Sequence, residues 1–283
     1  MRGIRAAVSA IVVLSLASCG QSDKAAQAGD PGVGHIHGLG VDPSDGALYL
    51  AGHYGLFRVT SANTAHRVAG RVQDHMGFTV VGPKTFLASG HPGEADTGSP
   101  PHLGLIRTTD AGATWKTVSE RGVADFHALQ QAGSTLYGYD SQTSRVRASV
   151  DGGATWRQGA DEEVIDFAAH ATQPERVYAT TTSGVQVSGN GGMDFEPMKD
   201  APPLGQIEAP AADLLIGSDA DGHVHMSVDA GETWRTSGRL PAPAVAFTAV
   251  DRQHLFAAAE DGTVYESTNG GTNFTTVFRP ASG

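Results

Sequence analysis

One eight-residue pattern returns five times along this chain, about forty residues apart, and it narrows the available folds more than any other feature. The first copy is Thr108-Thr109-Asp110-Ala111-Gly112-Ala113-Thr114-Trp115; the others run Ser149 to Trp156, Ser188 to Phe195, Ser227 to Trp234 and Ser267 to Phe274. Counted from the Asp or Asn at the third position, the steps are 41, 39, 39 and 40 residues. The segments between copies are short, alternate apolar with polar residues, and are rich in β-branched and aromatic side chains, so they read as strands. A period of this length in an all-β chain is one four-stranded sheet per repeat. The expectation is a six-bladed β-propeller over residues 34–283.

The residue types explain the pattern. A side-chain oxygen at Asp110, Asp151, Asn190, Asp229 or Asn269 can accept bonds from backbone N–H groups just downstream and close a tight turn. The following Gly reaches φ > 0 without steric cost. Trp115, Trp156, Phe195, Trp234 and Phe274 then open the next strand as large apolar plugs against a neighbouring sheet. These are structural duties, and they make the acids of the pattern poor candidates for catalysis.

Inner strands are expected to begin near Gly34, Val72, Val123, Val164, Leu204 and Pro243, giving six blades. The first blade lacks the pattern. The second carries an insertion from Gly90 to His102, rich in Gly and Pro, on a rim where propellers hold ligands. Side chains two apart on an inner strand share a face, and here that face is the central channel. Aligned on an apolar middle position (Ile36, His75, Phe126, Phe167, Ile207, Phe247), one channel position holds His35, Asp74, Asp125, Asp166, Gln206 and Ala246. The next holds His37, Met76, His127, Ala168, Glu208 and Thr248.

Two readings of this ring stay open. Polar channel residues can simply bond ordered water. Alternatively His37, Met76 and His127, with His53 and His91 at the ends of second strands, form a metal site; imidazole with thioether suits copper above zinc. Asp125 would then orient a ligating ring. His223 and His225 share one face of a third strand in blade 5; metal or solvent could meet them there, and a solvated outer strand is the favoured reading.

The first 18 residues read as an export signal: Arg2 and Arg5, then an apolar run from Ala6 to Leu16, then Leu16-Ala17-Ser18-Cys19 in the form of a lipobox. The run is too short to span a bilayer. Cys19 is the only cysteine, so no intrachain disulfide forms, and a lipid on its sulfur accounts for a thiol in an oxidising compartment. An ordinary cleaved signal with an incidental cysteine is the alternative. Residues 19–33 are Ala-, Gly- and Gln-rich and suit a flexible tether. The expected location is extracytoplasmic, lipid-anchored to a bacterial membrane through Cys19. A net charge of −11 argues against nucleic acid as a partner and leaves an envelope protein, a glycan or a metal ion.

With five such turns in register the chain resembles the BNR or Asp-box repeat superfamily, which includes sialidases, sortilin-type receptors and photosystem-assembly propellers. More narrowly, His35-Ile36-His37-Gly38-Leu39, Met76-Gly77-Phe78-Thr79, Ser89-Gly90-His91-Pro92-Gly93 and Asp125-Phe126-His127-Ala128-Leu129 look like bacterial envelope lipoproteins named exo-α-sialidase-like or glycosylhydrolase-like. The resemblance implies a propeller and leaves activity open. Sialidases resemble one another in three channel arginines, and no inner strand here carries one. The expectation is a non-enzymatic binding or assembly module, with copper or zinc as candidate cofactor. A glycoside hydrolase using Asp74, Asp125 and Glu208 is the alternative, since two carboxyls at suitable separation suffice.

Overall fold

The computed structural model describes residues 30–280, so the expected signal segment, Cys19 and most of the tether lie outside the described residues. The chain divides into a unit through Pro31 and a compact unit from Gly32 onward, and only the second is described here. It consists of six four-stranded antiparallel sheets, each built from four consecutive strands. Among the described residues the sole helical element is a 3-10 turn at Val68–Gly70. The inner strands are Ile36–Val41, Asp74–Gly82, Phe126–Ala132, Asp166–Ala169, Leu204–Ala211 and Ala244–Ala249. Each packs against the inner strands before and after it, and the last packs against the first. The molecule is a six-bladed β-propeller.

The apolar core is divided among the six seams between blades. Tyr49, Ala51 and Leu56 of blade 1 bury against Phe78, Phe86 and Ile106 of blade 2. Leu87 and Leu105 bury against Phe126 and Leu136 at the next seam. Each aromatic plug of the repeated turn reaches back to the preceding blade: Trp115 joins the first cluster and Trp156 the second. In the turn itself, Asp110 accepts from the Thr114 N–H at 2.8 Å and the Thr114 hydroxyl at 2.7 Å, while the Thr108 hydroxyl accepts from Gly112 N–H at 3.0 Å. These bonds hold the Asp110 carboxyl down to about 2. Gly112 has φ +88°, and a Cβ there would lie 2.4 Å from Leu56 of the preceding blade, so both conformation and proximity demand glycine.

The ring closes without a strand exchanged across the seam, since blades 1 and 6 each use four consecutive strands. The last strand, Thr275–Phe278, buries Phe278 in the cluster shared with Ile36, Leu50 and Phe57 of blade 1. Arg279 N–H also donates to the Ala62 carbonyl at 3.0 Å.

The inner-strand alignment holds for blades 1 to 3 and is corrected for blades 4 to 6. Ile36 pairs with Gly52 and Gly38 with Ala51, which leaves His37 as the extra residue of a β-bulge. Met76 and His127 are the extra residues in blades 2 and 3, and Gly205 and Val245 in blades 5 and 6. A bulge places the flanking interior positions three residues apart rather than two. Phe167 and Phe247 therefore match Leu39, Phe78 and Leu129, which line the channel with them, and not Ile36, His75 and Phe126. Asp166, Gln206 and Glu208 accordingly lie three residues deeper than aligned, roughly 10 Å further down the axis.

Candidate functional site

The inner strands of blades 1, 2 and 3 are entered by His35, Asp74 and Asp125. The second strand of each blade ends opposite that residue. His53 N–H donates to the His35 carbonyl at 3.1 Å, His91 pairs with Asp74, and Ser141 N–H donates to the Asp125 carbonyl at 3.0 Å. In blade 6 the matching second-strand end is Glu260, just beyond Ala259. Because blades pack in a ring, each second-strand end also meets the inner-strand entry of the next blade.

Three successive seams therefore carry an imidazole facing a carboxylate. Glu260 Oε1 lies 3.3 Å from His35 Nδ1 at the seam of blades 6 and 1. His53 Nδ1 lies 3.2 Å from Asp74 Oδ1 at the next, and His91 Nε2 lies 3.3 Å from Asp125 Oδ2 at the third. Within blade 2, Asp74 Oδ2 faces His91 Nδ1 at 3.2 Å. His37, turned into the mouth by its bulge, brings Nε2 to 3.2 Å from His53 Nδ1 and 3.7 Å from Asp74 Oδ1. His102, at the end of the blade 2 insertion, lies 3.9 Å from Asp125 Oδ2, with its ring 5.7 Å from that of His91. His127 Nε2 and the Ser141 hydroxyl meet the same Asp125 oxygen at 2.9 and 3.2 Å.

Burial pushes the His37 ring down to about 4; the Asp74 charge opposes the shift, and His53, His35 and His127 add to it. The ring is therefore neutral near pH 7, the form that ligates metal. Burial would raise Asp125, but the His127 hydrogen bond, the charges of His127 and His91 and the Ser141 hydroxyl together carry it below its ordinary value. Asp125 is only 3% exposed, and its Oδ1 is buried with no hydrogen-bond partner; Asp74 Oδ1 and His102 Nδ1 are likewise buried and unpartnered. Orphaned polar atoms of this kind cost free energy unless something occupies the site. Two groups, His37–His53–Asp74 and His91–His102–Asp125, each gather three donor atoms within 4.8 Å of one another.

Of the residues singled out in sequence, His37, His53 and His91 join these two groups, and His127 hydrogen-bonds Asp125. Met76 lines the channel with His37 and His127. Glu208 stands apart, deep in the channel beside Asp166. Burial pushes Asp166 up to about 7 against the pull of the Phe167 and Ile207 N–H groups, and burial plus the Asp166 charge raises Glu208 well above the ordinary range. No arginine is among the described residues lining the channel, whose volume is about 640 Å³. His223 and His225 both face Asp219, at 3.3 and 2.9 Å, and that carboxylate also accepts the Asp221 and His223 N–H groups of its own turn. Sequence reasoning passed over His102 and Glu260. The signal for His102 was its place at the far end of an insertion that begins at His91.

No family model matches the chain, and no curated protein matches it in sequence. Among solved structures, a chain of a nidogen/laminin complex covers 83% of this chain and 93% of its own length, with TM-score 0.64 at 12% identity. YCF48 from Cyanidioschyzon merolae covers 84% and 96%, with TM-score 0.55 at 10% identity. YCF48 bound to D1 peptide covers 87% and 82%, with TM-score 0.53 at 14% identity. These likenesses place the chain among the β-propellers.

Proposed function

We propose that this chain is an extracytoplasmic propeller of the Asp-box type, lipid-anchored through Cys19, that serves as a ligand-binding or assembly module. Its ligand includes a divalent transition metal held at the channel mouth. One observation carries the reading: imidazoles and carboxylates from three consecutive blades converge at the mouth, where Asp74 Oδ1, Asp125 Oδ1 and His102 Nδ1 are buried and make no hydrogen bond. Imidazole with carboxylate suits a borderline ion, zinc or copper(II), and a thioether from Met76, which lines the same channel, would favour copper. YCF48, which shares the fold, is bound to D1 peptide, and that likeness of frame supports the wider idea of a binding module. Metal analysis of the purified chain, before and after His37→Ala with His127→Ala, tests the reading. Stoichiometric zinc or copper that falls in the double variant is expected; none in either sample contradicts it.

A second reading rests on Glu208. Burial and the Asp166 charge favour the protonated form of Glu208, the form a general acid requires, and Glu208 faces the channel. A glycoside hydrolase built on Glu208, which stands apart from Asp74 and Asp125, would turn over aryl glycosides and lose that turnover in Glu208→Gln. Inactivity of the parent chain across a broad panel removes this reading.

A further inference from the structure

The propeller repeat places the same chemistry at two adjacent seams, and we propose that the mouth holds two divalent transition-metal ions there. This rests on the metal-binding reading above and specifies its stoichiometry and ligands. The first ion lies between blades 1 and 2, held by His37, His53 and Asp74. The second lies between blades 2 and 3, held by His91, His102 and Asp125.

Geometry supports both positions. Ligand atoms around a tetrahedral ion at 2.0–2.1 Å stand about 3.3–3.4 Å apart. The first triad has edges of 3.2, 3.2 and 3.7 Å. The second has 3.3 Å between His91 and Asp125 and 3.9 Å between His102 and Asp125. Both edges of the second triad run to Asp125, whose side chain is 3% exposed and leaves Oδ1 without a partner.

The repeat explains why there are two sites. His53 and His91 are matching second-strand ends, and Asp74 and Asp125 are matching inner-strand entries. One blade's imidazole and the next blade's carboxylate meet at each seam. The third ligand differs. Blade 1 supplies His37 from its bulge, whereas the same bulge in blade 2 carries Met76, and His102 arrives from the insertion. At the preceding seam the pair is reversed as Glu260 and His35, and after blade 3 the series ends because Ser141 takes the place of the imidazole.

Asp74 links the two positions. Its Oδ1 belongs to the first triad, and its Oδ2 accepts from His91 Nδ1–H. That bond fixes the His91 tautomer and leaves Nε2 as the lone-pair atom facing Asp125, the usual carboxylate–histidine–metal arrangement.

Cobalt(II) serves as the probe. The full chain, stripped with chelator, is titrated with Co(II), and bound cobalt is measured after desalting. Saturation at two equivalents is expected, with one equivalent retained in His53→Ala and one in His102→Ala. Saturation of the parent chain at one equivalent overturns the two-ion inference while leaving the metal-binding reading intact. No bound cobalt overturns both, and loss of all cobalt in either single variant overturns the assignment to separate seams. The parent titration needs no substitution, so a variant that fails to fold, checked by circular dichroism, does not remove the test.

Discussion

Asp74 meets a different imidazole with each of its carboxylate oxygens, so its substitution is more informative than that of any one histidine. Asp74→Asn removes a ligand at the first position and a positioning hydrogen bond at the second. The expected outcome is loss of one ion and a roughly 10- to 100-fold weaker affinity for the other, measured by competition with a chromophoric chelator. Asp166 is a residue of another kind. Its carboxyl sits at about 7 when folded and near 3.9 when unfolded, so the native state binds the extra proton between those values. Stability is therefore fully present below about pH 4 and is lost as pH rises toward about 7. Asp166→Asn should reduce that fall in urea midpoints taken across the same range, with Glu208 supplying the remainder. An unchanged fall in the variant would assign it to another group. At this scale the sequence revealed which residue types line the mouth, because His37, His127 and Asp125 share a short periodic motif. It did not reveal His102, since nothing in a Gly- and Pro-rich insertion says where its last residue returns.

Among elements, the β-bulge decides what the inner strands present. The extra residue in each bulged strand leaves the ladder, and in blades 1 to 3 that residue is His37, Met76 or His127. The bulge also accounts for the misplaced lower half of the ring. Apolar residues recur on both sides of it, so Phe167, Ile207 and Phe247 matched Ile36 as well by hydrophobicity as they match Leu39 by structure. A period of two cannot register a local step of three. The insertion of blade 2 acts as an element of its own, joining His91 to His102 across the rim. Replacing Gly93 to His102 with a two-residue turn should leave the far-ultraviolet circular dichroism of the propeller intact and reduce bound metal to one equivalent. Retention of two equivalents would show that His102 is no ligand.

As a whole molecule, the propeller stores its stability in six seams, and the seam between blades 6 and 1 alone joins the chain's two ends. Phe278 closes it by side-chain packing against Ile36, Leu50 and Phe57. Phe278→Ala should cost about 3–5 kcal/mol, read from urea denaturation, because the cavity opens at the one seam without chain continuity. A loss below about 1 kcal/mol would place closure elsewhere. The repeated turns announced a propeller through their forty-residue step. Blade 1, which lacks the turn, follows from the length before the first copy, and the inner-strand phase of blades 5 and 6 is set by bulges that the turns do not mark. The turns are silent on use, which we propose arises where two adjacent seams gather imidazole and carboxylate. The central claim is that these two seams hold metal. Anomalous difference maps from crystals of the zinc-soaked protein, collected on either side of the zinc edge, test it most directly. Two peaks are expected, one within about 2.0–2.2 Å of donor atoms of His37, His53 and Asp74 and one equally close to His91, His102 and Asp125. Maps with no peak at either seam, from crystals that show zinc elsewhere, would contradict the account.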